Sequence, residues 1–286
     1  MGIVLFDGVA YGMLLFLIGA GLSLTLGLMN FVNLAHGAFA MAGGYAASLA
    51  MARLGLPFGA ALALAFVAAA LAGAVLERLL FRHLYRAHPL DHVLLSIGVV
   101  FVAVAGATWL FGPTGQPFEP PAWLRGSSAW FGVEVGNYRL FLIAFGCAVL
   151  LLLLALLGRT RYGAMVRAAV DNRRVAESMG LRAGRLFFFT FALGCGLAGL
   201  GGALGIGMLG LDPNFPLKYL VHFLIVVCVG GAGTLLGPFL AAMLVGIVDV
   251  AGKYYLPAAG SFPVYLFMVL VLLLRPRGLL PRQGRA

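Results

Sequence analysis

Asn30, Asn33 and His36 are three hydrogen-bonding side chains set between two long apolar runs, and Gly37, Gly43 and Gly44 follow closely. Two carboxamides and an imidazole can offer donors and acceptors to a polar solute if the chain breaks there at membrane depth and half-helix ends line a cavity. The same side chains would equally cap the helices on either side of a short turn. Both readings stay open, with Asn30, Asn33, His36 and Gly37 as candidate pathway residues. His222 lies inside a further apolar run, where an ionisable group is a functional candidate by default, and a backbone carbonyl could equally hold it. Asp249 and Lys253 are spaced i, i+4 and are expected to neutralise each other near the outer interface.

Other chemistries are not encoded. Gly252-Lys253 is followed by Tyr254, and the first glycine of a phosphate-binding G-x-x-x-x-G-K-[S/T] loop is replaced by Ile247. No H-E-x-x-H or C-x-x-C spacing occurs, and the nine carboxylates stand mostly at the edges of apolar runs. A catalytic pair or a proton relay is hard to build from them. Cys147, Cys195 and Cys228 all lie within apolar runs and read as small packing residues. No metal, catalytic or cofactor site is expected in this chain.

The elements that must position these residues are membrane helices. The chain is 63% hydrophobic and 10% charged over 286 residues, with a mean hydropathy of +1.05. That implies an all-α, polytopic bundle in one membrane-embedded domain, 1–286. Apolar runs fall at 8–29, 33–52, 57–76, 92–112, 140–158, 186–209, 218–231, 235–250 and 260–274, which gives eight to nine spans. Breaks or re-entrant turns are expected near 27–45 and 228–240, where glycine and polar residues interrupt the pattern. No basic region precedes Asp7, so a cleaved signal peptide is not expected. Segments 77–92 and 159–185 and the tail from Arg275 hold 14 of the 19 basic residues. Nine crossings put all three on one side, the cytoplasm, with the N-terminus outside. The net charge of +10 is therefore a topology signal and not a nucleic-acid surface. The loop 113–138 is external, and Trp109, Trp123 and Trp130 around it suit an interfacial belt.

The segment 159–185 is a basic island with seven arginines. One arginine at a bilayer centre costs roughly 2.5–3.5 kcal/mol, so seven cost on the order of 20 kcal/mol and the island must lie outside the membrane. It is also patterned. Tyr162, Met165, Val166, Ala169 and Val170 share one helical face. Asp171 or Asn172 can cap a second short helix carrying Val175, Ala176 and Met179, with Gly180 suited to its C′ position. Two short amphipathic helices on a basic face look like a docking surface for a soluble partner.

Gly194, Ala198 and Gly202 fall at small-xxx-small spacing, as do Gly201 and Gly205, and such rows let helix backbones approach closely. Gly230, Gly231, Gly233 and Gly237, ending in Pro238, repeat the theme and argue for a tight turn or re-entrant break.

Four stretches, in order, carry a family resemblance. They are residues 27–45 with Asn-Leu-Ala-His-Gly-Ala-Phe, 160–180 with Arg-Ala-Ala-Val-Asp-Asn, Gly230-Gly231-Ala-Gly233-Thr-Leu-Leu-Gly237-Pro238, and Arg275-Pro276-Arg277-Gly278-Leu279. Together they resemble an inner-membrane permease of the branched-chain amino-acid ABC importers, the LivH type. The resemblance implies that the island is a coupling loop docking an ATPase subunit through Arg167, Ala168, Asp171, Asn172, Ala176 and Gly180. Of the degenerate Glu-Ala-Ala-x-x-x-Gly signature only Ala176 and Gly180 remain, Arg174 and Val175 replacing the first two positions. It further implies a second, homologous LivM-like permease, two cytoplasmic ATPases that use ATP and Mg, and a periplasmic solute-binding protein, in a bacterial inner membrane. Related permeases move urea or short amides. A stand-alone secondary transporter or channel would need coupling ions and intramembrane carboxylates, and an intramembrane enzyme would need a nucleophile beside His36 or His222.

Overall fold

The computed structural model describes residues 2–29, 33–84, 88–130, 133–231, 234–276 and 278–280. Asn30, Arg86, Gly233, Arg277, Arg282 and Arg285 lie outside the described residues. Nine helices coincide with the nine apolar runs: α1 (Gly2–Met29), α2 (His36–Leu54), α3 (Phe58–Leu79), α4 (Pro89–Phe111), α5 (Asn137–Arg159), α8 (Ala183–Leu209), α9 (Phe215–Gly230), α10 (Leu236–Tyr255) and α11 (Phe262–Leu274). Two further short helices, α6 (Arg161–Asp171) and α7 (Arg173–Ser178), fold the basic island. Among the described residues six helices, α1, α3, α4, α5, α8 and α10, are long and apolar enough to cross a membrane. The protein is a helical, polytopic membrane protein.

The helix ends follow local chemistry. The His88 Nδ1 accepts from the Leu90 N–H at 3.4 Å and Asp91 Oδ2 accepts from the His88 N–H at 3.1 Å. This reciprocal cap starts α4 with Pro89 in its first turn, where proline's missing N–H costs nothing. Gly55 closes α2 at φ +61°, its N–H bonded to the Ala50 carbonyl.

Helices α1 and α8 form the middle of the bundle, and α2, α3, α5, α9 and α10 pack around them. Apolar lipid tails offer no hydrophobic reason for helices to associate, so close backbone packing must hold them. The glycines of α8 supply it. A Cβ on Gly202 would land on the Ala40 carbonyl, one on Gly199 on Ala69, and one on Gly73 of α3 on Cys195. Gly21 of α1 is equally tight against Gly194. The outer faces of α3, α4, α5 and α11 present Leu71, Leu94, Val102, Leu151 and Leu273 outward, as a lipid-facing surface requires.

Among the described residues the bundle also carries one β-hairpin. In the 113–138 loop, β1 (Ser127–Trp130) pairs antiparallel with β2 (Val133–Gly136), Ser128 opposite Val135. The class remains all-α, and the hairpin is a small local addition to a helical bundle. Val133-Glu134-Val135 alternates, but four-residue strands are too short for the pattern to stand out beside spans of twenty residues. The loop is not a bare linker: Leu124 is buried, Ser128 Oγ donates to Asn137 Oδ1 at 2.6 Å, and Trp123 stands edge-on to Phe141. Trp109 and Trp123 are exposed.

Candidate functional site

The start of α2 is built by an Asx turn. Asn33 Oδ1 accepts from the Ala35 N–H at 3.0 Å, and its backbone carbonyl accepts from the His36 N–H at 3.3 Å. Among the described residues the Asn33 Nδ2 has no hydrogen bond, and the His36 ring faces the Gly194 backbone without a close one, although the two residues are 0% and 1% exposed. The capping role is thus performed by the Asn33 oxygen, and its Nδ2 and the His36 ring keep hydrogen-bonding capacity among the described residues. A Cβ on Gly37 would come within 3.0 Å of the Pro216 Cα, so the starts of α2 and α9 meet. If α2, α3, α4, α5 and α8 each cross once, these two starts belong on opposite faces. Their contact is accounted for when one of them begins part-way through the membrane. Asn33, His36 and Gly37 gather there.

Along α9, Pro216, Tyr219, His222 and Phe223 follow at helical spacing on one face, leading from that junction to a second polar centre. His222 Nε2 stands 3.9 Å from Asp249 Oδ1 of α10, too long for a hydrogen bond. Asp249 Oδ2 accepts from Lys253 Nζ at 2.6 Å. The Asp249 side chain is 2% exposed and that of Lys253 52% exposed. The pair is therefore not a plain interfacial one. Its carboxylate sits inside the bundle, with Tyr11 of α1 edge-on to His222 and Tyr219 beside it. Among the described residues Oδ1 of Asp249 and both His222 nitrogens make no close hydrogen bond, their mutual approach at 3.9 Å aside. Burying such groups costs free energy unless they are bonded. Sequence spacing reveals the Asp249–Lys253 pair; His222 joins it only through the packing of α9 on α10. Among the described residues no group of three His, Cys, Asp or Glu could hold a metal ion. The groove of about 520 Å³ between α3, α5 and the 113–138 loop is lined, among the described residues, by apolar and aromatic side chains such as Phe58, Phe66, Trp123 and Phe145, with no charged group.

The basic island folds into a small core of its own. Val166, Ala169, Ala176, Ala183, Leu186 and Phe187 are buried together, with Tyr162 and Val170 against them. Thr160 caps α6, its Oγ1 accepting from the Gly163 N–H at 3.1 Å, and Asn172, not Asp171, caps α7 through Val175 N–H at 3.1 Å. Gly180 follows α7 at φ +87°. The Tyr162 hydroxyl meets Thr190 Oγ1 at 2.6 Å and ties α6 to α8. Burial pushes that phenol's pKa up and the Thr190 bond partly opposes the shift, so Tyr162 stays neutral. Arg167, Ala168, Asp171, Asn172 and Gly180 are exposed. Ala176 is not: at 3% exposure it faces inward, and the apolar groups presented outward from α7 and its end are Val175 at 54% and Met179 at 80%. Met179 shares the helical spacing of Ala176, but the turn at Gly180 swings it clear. Asn172→Ala is expected to cost α7 about 1 kcal/mol, read as faster amide exchange across residues 173–178 with little change elsewhere.

The family described as branched-chain amino acid transport system / permease component matches residues 4–274. The chain belongs to this family. Among its relatives, the high-affinity branched-chain amino acid transport system permease protein BraD of Pseudomonas aeruginosa is 25% identical over 97% of this chain and 95% of its own length. The LivH permease protein of Salmonella typhimurium, named for the same transport system, is 24% identical over 97% and 94%. A shorter match, 33% identical over 36% of this chain and 32% of the relative, is to the autoinducer 2 import system permease protein LsrC of Yersinia pestis. No solved structure matches.

All four stretches that resemble this permease family place residues at one end of the bundle. A cleft of about 40 Å³ joins Leu24 and Gly27 of α1, Leu157, Val166, Arg167 and Val170 of the island, and Thr234 and Leu235 of the α9–α10 turn. That turn is held from α1, Ser23 Oγ donating to the Thr234 carbonyl at 3.2 Å. After α11 the chain returns as a strap: the Leu279 N–H donates to the Val229 carbonyl at 2.7 Å, satisfying an open end of α9. Gly278, at φ +84°, lies so close to Gly231 that a Cβ would not fit. A Cβ on Gly230 would strike Pro238, and one on Gly237 the Gly230 carbonyl. On α8, Gly194 and Ala198 are buried like Gly202, whereas a Cβ on Gly205 would meet only Leu209 of its own helix.

Proposed function

We propose that this chain is a transmembrane permease subunit of an ABC importer that moves branched-chain or other hydrophobic and neutral amino acids inward by ATP-driven alternating access. The observation that carries the reading is the separate small core of α6 and α7, which presents Val175 and Met179 outward on a surface rich in arginine. A membrane subunit with exposed apolar groups on its water-facing helices calls for a soluble partner, and the chain has no nucleotide loop of its own. ATP and Mg act on two partner ATPases. A second permease and a periplasmic solute-binding protein complete the assembly in a bacterial inner membrane.

Orientation follows from the arginines. Arg78 lies over the Phe188 ring at 4.9 Å, next to the island, and Thr234 Oγ1 donates to the Leu280 carbonyl beside the tail. The three basic segments thus gather at one end, which the positive-inside rule puts in the cytoplasm. The Asp7–Arg139 pair, 2.6 Å apart, and the hairpin then lie toward the outside. The six long helices and the three shorter apolar ones make nine crossings, with α2 entering part-way.

Closure of the ATPases would move α6 and α7. That motion reaches the α1 end and the α9–α10 turn through the Arg167 cleft, and so the junction where α2 meets α9. Cysteine placed at 33 or 36 in a Cys-free background is expected to react with aqueous thiol reagents in one nucleotide state and resist them in another. Protection in every state would assign Asn33 and His36 to capping and packing only.

A further inference from the structure

We propose that Asp249, His222 and Lys253 form an intramembrane recognition site for the charged head of an α-amino acid: its ammonium on Asp249 Oδ1 and its carboxylate toward Lys253 Nζ. The proposal rests on the permease reading above and adds the solute chemistry that the bundle reads.

Three observations support it. First, Asp249 is a carboxylate inside a membrane helix bundle with one oxygen committed to Lys253 and the other without a hydrogen bond. A carboxylate accepts on both oxygens, so Oδ1, faced by His222 Nε2 at 3.9 Å, keeps room for a closer cationic or N–H donor. Second, His222 faces that same oxygen across 3.9 Å and has neither ring nitrogen bonded. An ammonium bonded to both at about 2.8 Å each spans up to roughly 5.5 Å, so α9 and α10 need part by only about 1.5 Å for it to enter. Third, Lys253 spends one of three N–H donors on Asp249 and is half exposed, which leaves donors for a carboxylate. Tyr11 and Tyr219 flank the histidine, and the Tyr11 ring already lies 5.8 Å from the Lys253 Nζ. Such faces tolerate a cation.

The site reads the part common to all α-amino acids and leaves the side chain to apolar walls. It also shares the inner face of α9 with Pro216, which touches Gly37 at the start of α2. The open site and the Asn33–His36 junction are thereby two stations on one helix face.

The test is ATP-driven uptake of labelled leucine by the full complex in proteoliposomes, with urea as the neutral comparison. Asp249→Asn should lower leucine uptake about tenfold to a hundredfold, the loss of one charge-assisted contact, and Asp249→Glu should recover part of it. The exchange of both charges, Asp249→Lys with Lys253→Asp, restores the ion pair and should restore thermal stability but not leucine uptake. Leucine uptake at wild-type rate in Asp249→Asn, or its recovery in the charge exchange, would overturn the site and reduce the pair to a tie within α10. A wild-type complex that imports urea and not leucine would refute the amino-acid reading itself, before any variant is measured.

Discussion

Met179→Asp is expected to abolish ATP-dependent uptake while leaving the thermal stability of the isolated chain within about 0.5 kcal/mol of wild type. Met179 is 80% exposed just past α7 and belongs to no buried cluster, so the folded permease loses nothing by the change. A partner surface that buries it would have to bury a carboxylate. Apolar anchors at the centre of interfaces are worth about 2–4 kcal/mol, enough to release the ATPase at cellular concentrations. Val175→Asp, one turn away, should act the same way more weakly. Ala176→Asp is a different experiment. Ala176 is packed with Ala183, Leu186 and Phe187, so that variant should melt the two short helices and cannot separate docking from folding. Co-purification of the ATPase with each variant, beside its melting curve, checks all three.

Gly202→Leu should prevent assembly of the bundle, at a cost of about 3 kcal/mol or more. The Cβ alone would fall on the Ala40 carbonyl, and backbone cannot yield as a side-chain tip can. α2 would have to leave α8, and with it the α2–α9 junction. Gly59→Leu on α3 is the control, since nothing lies within 4 Å of its Cβ position. Gly205→Leu should fall between, because only the Leu209 side chain opposes it. The expected order of melting temperature in detergent is wild type and Gly59→Leu highest, then Gly205→Leu, with Gly202→Leu failing to purify as a single species. Equal stability of the three variants would contradict the packing account.

The parts of this fold that depend on solvent alone could be read from residue order. Each of the nine apolar runs is a helix because a backbone in lipid must bond to itself. The island stays out because its arginines cannot enter, and Asn172 and Gly180 mark the ends of α7 by local chemistry. What could not be read depends on which helices touch. His222 and Asp249 are far apart in order and meet only because α9 packs on α10. The inward turn of Ala176 needs α8 as its floor. The contact of Gly37 with Pro216 calls for a helix that begins part-way through the membrane, a depth that hydropathy does not place. The 127–136 hairpin is tied by Ser128 Oγ to Asn137 beyond its strands, and Trp123 before it stands on Phe141 of α5. The apolar pattern therefore locates helices well and buried polar side chains poorly, since a buried histidine and a capping histidine look alike in sequence.

The central claim is that this chain is driven by ATPases docked on α6 and α7. Co-expression with the neighbouring genes, purification through a tag on this chain and measurement of ATP hydrolysis in proteoliposomes test it most directly. The account predicts that ATPase subunits purify with the chain and that leucine with a binding protein raises turnover. A chain that purifies alone and passes leucine down its gradient without ATP would contradict it.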